Sequence, residues 1–254
     1  MKHIPNAFTL LNLVFGCCAI VFCLQNGISI QDRPDGIQLI EMPEKIVFAS
    51  LFIGLAAIVD FLDGFVARWL KATSALGQQL DSLADVVSFG VAPSMILYQF
   101  LRMSFASQEN GLNVPIIYLM PAFILAAAAA YRLGKFNLDE TQSVVFKGVP
   151  TPAVGLMIAS FPLIYWYPSS DWVVNGLLNK WVLYSMIFLL SYLMICELPI
   201  MSLKFKSLQL KDNLPKLILL ALSITLFFVF HWTSVPVIFF CYILLSLIFK
   251  KNII

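Results

Sequence analysis

Four aspartates stand at the edges of two apolar segments, where a charged side chain is costly. They are Asp60, Asp63, Asp81 and Asp85, in the stretch DFLDGFVARWLKATSALGQQLDSLAD. An ionised carboxylate at the centre of a bilayer costs on the order of 2.5–3.5 kcal/mol by insertion scales. Four such residues in one stretch therefore indicate a function rather than a packing role.

The spacing of the aspartates places each pair on one face of a helix. The first pair is three residues apart and the second is four apart, and such residues are neighbours on a helix surface. Residues with small side chains share these faces and let a ligand approach the backbone closely; they are Gly64, Ala67 and Gly77. The link at residues 71–74 is short, so the two helices should be antiparallel neighbours with their acidic faces opposed.

Four opposed carboxylates repel one another and can stay ionised together only if cations lie among them. Hard divalent ions with oxygen ligands fit best, namely Mg²⁺ or Mn²⁺, and they often share their coordination with a substrate's phosphates. The pattern thus points to phosphoryl-type chemistry, with metal neutralising charge on a leaving nucleotide. A nearby carboxylate would take the proton from an attacking hydroxyl. The competing interpretation is a set of helix-end ion pairs with Arg68, Lys71, Arg132 and Lys135.

The composition predicts that these helices lie in a membrane. The chain has 254 residues, of which 60% are hydrophobic and 12% are charged, whereas soluble domains carry about 25% charged residues. Apolar segments recur from one end to the other, so we expect one all-α membrane domain over residues 1–254. The net charge of +2, with scattered basic residues, gives no indication of a nucleic-acid partner.

Eight segments are long and apolar enough to be candidate spans of a polytopic helix bundle. They cover residues 7–24, 46–69, 83–101, 114–133, 153–167, 181–198, 214–230 and 234–249. The segment 25–44, with Pro34, Gly36 and mixed charges, is typical of an external loop.

The distribution of basic residues predicts the orientation of the bundle. With the N-terminus in the cytoplasm, twelve of the sixteen Lys and Arg residues fall on the cytoplasmic side, as the positive-inside rule requires. Both termini and the aspartates would then be cytoplasmic. A six-span bundle with a membrane-associated tail is the alternative, because the last hairpin around residues 231–233 is the weakest signal.

The aspartate stretch resembles the signature of the CDP-alcohol phosphatidyltransferase family, D-x2-D-G-x2-A-R-x8-G-x3-D-x3-D. All eight fixed positions are filled. Besides the four aspartates, they are Gly64, Ala67, Arg68 and Gly77. The resemblance implies a site for two ions, Mg²⁺ or Mn²⁺, with Asp60, Asp63 and Asp81 as ligands and Asp85 as both ligand and general base. It also implies that Gly64, Ala67, Arg68 and Gly77 line a CDP pocket, and that the protein is a homodimer.

Within this family, the chain is most similar to the bacterial-type phosphatidylserine synthases. The similar segments are IPNAFTLLNLVFG at 4–16, LDSLADVVSFGVAPS at 80–94, YRLGKFN at 131–137 and FKGVPTPAVG at 146–155. They place the catalytic core at about residues 1–210, with residues 211–254 as additional helices. The resemblance implies transfer of the phosphatidyl group from CDP-diacylglycerol to the L-serine hydroxyl, with release of CMP, at the cytoplasmic side of the cell membrane.

Several polar residues are candidates to bind the substrates. Arg132, Lys135 and Lys147 fall on the same side as the aspartates, and an arginine can hold a carboxylate or phosphate in a bidentate fork. We therefore expect them to bind serine or the lipid phosphate, although they could equally be ordinary positive-inside residues. Asn6 and Thr9 lie on the first helix near the same surface, where they could contact the nucleotide or cap the helix.

Two other functions compete with this hypothesis. A related transferase would use glycerol 3-phosphate or inositol phosphate as the acceptor and would need further basic residues near Arg132. A cation transporter would place its ion site near the midplane of the membrane, often between inverted repeats, but no internal repeat is evident. The two histidines, His3 and His231, are predicted on opposite sides of the membrane, which excludes a metal site with two His ligands.

Overall fold

The structure is a computed structural model that describes residues 3–25, 29–32, 38–70, 74–106, 113–138, 146–167, 170–201 and 210–249. The described residues are almost entirely helical, which confirms the all-α prediction. The helices are α1 (His3–Leu24), α2 (Ile46–Trp69), α3 (Ala75–Asp85), α4 (Ala92–Ala106), α5 (Ile124–Leu138), α6 (Thr151–Trp166), α7 (Asp171–Leu177), α8 (Lys180–Ile195), α9 (Leu210–Phe230) and α10 (Ser234–Ile248).

Every predicted span overlaps a helix, and two of the helices differ locally from the prediction. α3 and α4 form one continuous helix, Ala75–Ala106, longer than the predicted span 83–101. The predicted span 114–133 begins as 3-10 turns, Ile116–Tyr118 and Met120–Phe123, because Pro115 and Pro121 interrupt regular helix there. The predicted link at 71–74 lies outside the described residues except for Ser74.

Two short antiparallel strand pairs accompany the helices. β1 (Ser29–Asp32) pairs with β2 (Gln38–Glu41) inside the segment 25–44 that was expected to be a loop. The segment predicted to be an external loop therefore contains a strand pair, SIQD with QLIE, and its external position stays a prediction. β3 (Phe146–Lys147) pairs with β4 (Pro199–Ile200) and ties the start of α6 to the end of α8.

The described helices are long and apolar enough for a membrane protein. By length and composition, four stretches could cross a bilayer: Pro5–Leu24, Ile46–Trp69, Ala75–Ala106 and Asn213–Ile248, the last containing both α9 and α10. α7 and α8 would add a fifth if this pair, bent by 68°, is one span. The predicted count of eight and the cytoplasmic position of both termini remain predictions.

The helix Ala75–Ala106 lies at the centre of the bundle, and close contacts through small residues hold it there. A Cβ at Gly16 of α1 would lie 2.8 Å from the Cα of Ser88, and a Cβ at Gly90 would lie 3.0 Å from the Cβ of Ala129 in α5. Backbones can approach this closely only without larger side chains. The run Ala126–Ala130 therefore gives the close helix packing that its small residues predict.

A π-helical segment, Val86–Val91, joins α3 to α4 directly after Asp85. Such segments insert an extra residue into a turn and are frequent at functional sites. Here the segment changes the direction of the side chains after Asp85, so that Ser88 and Phe89 are buried between neighbouring helices. The last acidic residue and the packing core thus lie on one rigid element.

Candidate active site

The acidic side chains come from two helices, and a third helix, α1, contacts them. α2 supplies Asp60 and Asp63, and α3 supplies Asp81 and Asp85. α2 continues through the Asp63–Gly64 pair without a turn. One carboxylate oxygen from each of Asp60, Asp63 and Asp81 lies within 4.8 Å of the others. The expected opposition of the two acidic pairs is therefore present for three of the four carboxylates.

Thr9 on α1 fixes the orientation of Asp63. The Thr9 hydroxyl lies 2.8 Å from Asp63 Oδ2 and 3.2 Å from the carbonyl oxygen of Pro5. Both Thr9 and Asp63 are buried. A buried hydroxyl placed in this way ties the Asp63 carboxylate to α1.

Asn12, one helical turn after Thr9, orients Asp85. Its Nδ2 donates a hydrogen bond of 3.2 Å to Asp85 Oδ1, and Ser88 Oγ donates one of 3.0 Å to the carbonyl oxygen of Asn12. Asp85 is close enough to Asp60, Asp81 and Asp63 to interact with their charges. Asp85 thus stands beside the group of three, held by an amide from another helix.

The arrangement fits a divalent cation on its donor chemistry. Carboxylate oxygens are the ligands that Mg²⁺ and Mn²⁺ prefer. Asp81 Oδ1 is buried and has no hydrogen-bond partner among the described residues, and an unpaired buried polar atom is costly unless something binds it. The convergence of three carboxylates with one oxygen unsatisfied is what a cation site requires.

A cleft of about 530 Å³ opens beside the cluster. All six residues predicted to contact the CDP-lipid line it, together with two of the aspartates: Asn6, Thr9, Asp63, Gly64, Ala67, Arg68, Gly77 and Asp81. The structure therefore brings the motif residues of α2 and α3 together with the predicted residues of α1 around one cleft.

Small residues keep this cleft open. A Cβ on Gly77 would lie 3.1 Å from both Asn6 Oδ1 and Ser74 Oγ, and a Cβ on Gly64 would lie 3.4 Å from Arg68 Nη1. Ser74 caps α3 by accepting a hydrogen bond of 3.0 Å from the backbone N–H of Gly77. The N-terminal turn of α3 thus forms one wall of the cleft and leaves no room for a larger side chain.

The three predicted basic residues lie together, apart from the cleft. Arg132, Lys135 and Lys147 line one small cavity of about 10 Å³, which holds no more than a single water molecule. Arg132 is buried, donates a hydrogen bond of 3.2 Å from Nη1 to Thr151 Oγ1, and leaves its Nε without a hydrogen-bond partner among the described residues. It is also near enough to Asp85 to interact with its charge.

Lys135 has a different environment from Arg132. Its Nζ lies 2.8 Å from Glu197 Oε1, and the two side chains are 41% and 67% exposed. Exposed ion pairs of this kind contribute little to stability. Of the three basic residues, Arg132 has the burial and the polar contacts expected of a binding residue.

Sequence reasoning missed several residues of the cleft. Pro5, Ser74, Ala75 and Gln78 line it but carry no catalytic signal of their own. Ser74 was detectable, because a serine just before a helix that begins with small residues is a favoured N-cap. The role of Asn12 towards Asp85 had no local signal, since the two residues are 73 positions apart.

Comparison with known proteins gives the same family as the motif. The family model for CDP-alcohol phosphatidyltransferases matches residues 2–197. A Bacillus subtilis (strain 168) protein named CDP-diacylglycerol--serine O-phosphatidyltransferase is 32% identical, over 65% of this chain and 78% of its own length. A Helicobacter pylori (26695) protein of the same name is 31% identical, over 82% and 86% respectively. A third, from Mycobacterium tuberculosis (H37Rv), is 32% identical, and this chain covers 60% of its length.

Proposed function

This chain belongs to the CDP-alcohol phosphatidyltransferase family, and we propose that it transfers the phosphatidyl group of CDP-diacylglycerol to the hydroxyl of L-serine and releases CMP. The observation that carries the reaction type is the convergence of Asp60, Asp63 and Asp81 beside a cleft lined by Gly64 and Gly77. The choice of serine rests on the names of the relatives.

The cleft between α1, α2 and α3 accommodates the CDP group of the lipid. Its glycines allow the diphosphate to approach the helix backbones, and the Arg68 guanidinium offers charge-assisted hydrogen bonds to phosphate oxygens. Asn6 and Thr9 lie on the opposite wall. The acyl chains would extend from this cleft into the bilayer.

Asp60, Asp63, Asp81 and Asp85 would hold two divalent ions, Mg²⁺ or Mn²⁺, which when bound would neutralise charge on the diphosphate and on the departing CMP. Thr9 and Asn12 keep the carboxylates oriented through the bonds to Asp63 and Asp85. Fixed polar groups of this kind stabilise developing charge without having to reorganise during the reaction.

Asp85 acts as the general base. It takes the proton of the serine hydroxyl while the serine oxygen forms a bond to the phosphorus that bears the diacylglycerol. The bond from that phosphorus to the bridging oxygen of CMP breaks, and CMP leaves with the electron pair. Catalysis then depends on positioning and electrostatic stabilisation, and no covalent enzyme intermediate is needed.

Arg132, Lys135 and Lys147 bind the serine carboxylate or the lipid phosphate. Arg132 has the strongest case, because it is buried and near Asp85 while its Nε lacks a hydrogen-bond partner among the described residues. The cavity these residues share must widen before serine can enter. Substrate-driven rearrangement of side chains would supply that space.

We further expect a homodimer in the cytoplasmic membrane. The catalytic core would cover about residues 1–210, with α9 and α10 as additional helices of the same domain. Native mass spectrometry of the detergent-solubilised protein should give twice the mass of one chain. A single-chain mass at all protein concentrations would reject the dimer.

The reaction is tested by CMP release from purified protein supplied with CDP-diacylglycerol and Mg²⁺ or Mn²⁺. L-serine, glycerol 3-phosphate and inositol phosphate would be compared as acceptors. Asp85→Asn should abolish release, whereas Asp171→Asn, an exposed carboxylate on α7, should leave it unchanged.

Each result decides between the competing functions. Release that needs serine and metal and is lost in Asp85→Asn supports both the reaction and the general base. Release with another acceptor keeps the family chemistry and rejects serine. No release with any acceptor favours cation transport through the acidic cluster.

A further inference from the structure

A second, larger cavity has none of the four aspartates in its lining. It is a groove of about 900 Å³ between α2 and α6, bordered by Trp232 and Val235 at the start of α10. Its walls are mostly apolar, with Phe48, Leu51 and Leu163 among them. Neither the motif nor the proposed chemistry uses it.

The groove opens at the opposite end of α2 from the active site. Glu44 and Lys45 lie at its mouth. Lys45 is 18 residues before Asp63, which corresponds to about 27 Å along a helix, close to the thickness of a hydrocarbon core of about 30 Å. The rings of Tyr167 and Trp232, with centroids 6.4 Å apart, stand at the same end, as aromatic residues do at a membrane interface.

Two features inside the groove are not explained by contacts among the described residues. Ser50 lines it and is 5% exposed, and its hydroxyl has no hydrogen-bond partner among the described residues. Gly54, one turn further along α2, also lines it, and no described atom lies within 4 Å of the position of its Cβ. A helical glycine costs about 1 kcal/mol relative to alanine, and none of the described helices places an atom against this Cβ position.

We propose that this groove binds a zwitterionic phospholipid of the leaflet opposite the active site. An acyl chain lies along the apolar walls and over Gly54. Ser50 donates a hydrogen bond to an ester carbonyl of the lipid, and Lys45 binds its phosphate. Lys45 precedes Ser50 by five residues, about 7.5 Å along a helix, which matches the order of phosphate and ester groups in a glycerophospholipid. Glu44, of opposite charge, faces the ammonium group.

A second copy of the chain fits the groove less well than a lipid. In a two-fold dimer the same surface meets itself, so two concave faces would oppose each other and leave the groove volume unfilled. A flexible acyl chain fills such a volume without that geometric restriction. The adjacent opposite charges at the mouth also match a zwitterionic headgroup better than an anionic one.

The test is native mass spectrometry of the full chain in detergent, titrated with dioleoyl phosphatidylethanolamine or dioleoyl phosphatidylglycerol. Gly54→Leu fills the groove, while Gly176→Leu on α7 is the matched control, because no described atom lies within 4 Å of its Cβ position either. We expect phosphatidylethanolamine to be retained by the wild type and by Gly176→Leu, and its affinity to fall about tenfold or more in Gly54→Leu. Lys45→Gln should remove the preference over phosphatidylglycerol.

Gly54 does not line the cleft beside the aspartates, so CMP release by Gly54→Leu should equal that of Gly176→Leu. Equal release would also show that Gly54→Leu is folded. The lipid result therefore does not depend on the proposed reaction. Equal retention of phosphatidylethanolamine by both variants would overturn the site. Equal binding of the two lipids by the wild type would overturn the headgroup assignment. Loss of the dimer in Gly54→Leu with unchanged lipid binding would identify a second copy as the occupant.

Discussion

Individual hydrogen bonds from α1 orient the acidic side chains, so α1 belongs to the active site as much as the two helices that carry the motif. Thr9 bonds Asp63 and Asn12 bonds Asp85. Groups that hold a metal-binding side chain in place often affect metal affinity or activity by 10–100-fold. Replacing Thr9 or Asn12 should therefore impair the site while every aspartate stays in place.

Thr9→Val removes the hydroxyl that bonds Asp63 and preserves the shape of the side chain. We expect the Mg²⁺ or Mn²⁺ concentration needed for half-maximal CMP release to rise about tenfold or more. Thr225→Val is the control, because Thr225 on α9 is exposed and bonds only the backbone of its own helix in the described structure. An unchanged metal requirement in Thr9→Val would show that the bond has no role in metal binding.

Arg132 should determine the affinity for serine. Hydrogen bonds to charged groups contribute about 1.5–3 kcal/mol, so Arg132→Gln should raise the KM for serine roughly tenfold to a hundredfold while changing the KM for CDP-diacylglycerol little. Arg102→Gln, near the end of α4, is the control, since Arg102 donates a hydrogen bond to Gln99 of its own helix. Equal changes in both KM values would indicate a structural role for Arg132.

At the scale of elements, the site depends on how closely helices approach one another. The π-helical segment packs on α1 at Gly16 and on α5 at Gly90, and the first turn of α3 faces Asn6 across the cleft at Gly77. Each contact leaves no room for a larger side chain. The small size of Gly77 thus limits what fills the cleft, whereas Gly16 and Gly90 determine how closely the central helix packs on its neighbours.

Gly77→Ala should narrow the cleft without unfolding the protein. Its Cβ would lie 3.1 Å from two oxygens, so the KM for CDP-diacylglycerol should rise at least fivefold, because overpacking costs about 1–3 kcal/mol. Gly134→Ala is the matched change, since no described atom lies within 4 Å of that Cβ position. It should leave KM unchanged, and alanine should stabilise the helix by about 0.5–1 kcal/mol. Steady-state kinetics and thermal unfolding of both variants measure these effects.

At the scale of the whole molecule, the last helix packs against earlier parts of the bundle. Tyr242 on α10 donates a hydrogen bond of 2.7 Å to the carbonyl oxygen of Met201, and Ser246 accepts one of 3.2 Å from the Met201 N–H. α10 also packs against α6. α9 and α10 are therefore more than a loose extension, although the family model ends at residue 197.

The distribution of basic residues predicts on which side of the membrane the reaction takes place. If the aspartates face the cytoplasm, inverted membrane vesicles should release CMP when serine is added outside. Right-side-out vesicles should do so only after permeabilisation, because serine and the metal ions cross a bilayer slowly. Equal release by both intact preparations would contradict the predicted orientation.

The sequence by itself determined the chemistry and the helices of this protein. The aspartates and glycines of the motif were identifiable because their types and spacing are local, and the helices were identifiable because a membrane helix must be continuously apolar. α2 has the predicted bounds, Ile46–Trp69, and the cleft contains every predicted CDP-contacting residue.

Only the tertiary structure decided which side chains meet across the bundle. The bonds of Thr9 and Asn12 join residues 54 and 73 positions apart, and no local pattern encodes such a pairing. The strand pair β1–β2, the 3-10 start before α5 and the groove beside Gly54 likewise depend on contacts, proline sterics or open space between elements. Local periodicity specifies a helix and its apolar face, but the relative placement of helices is fixed by packing of side chains distant in the chain.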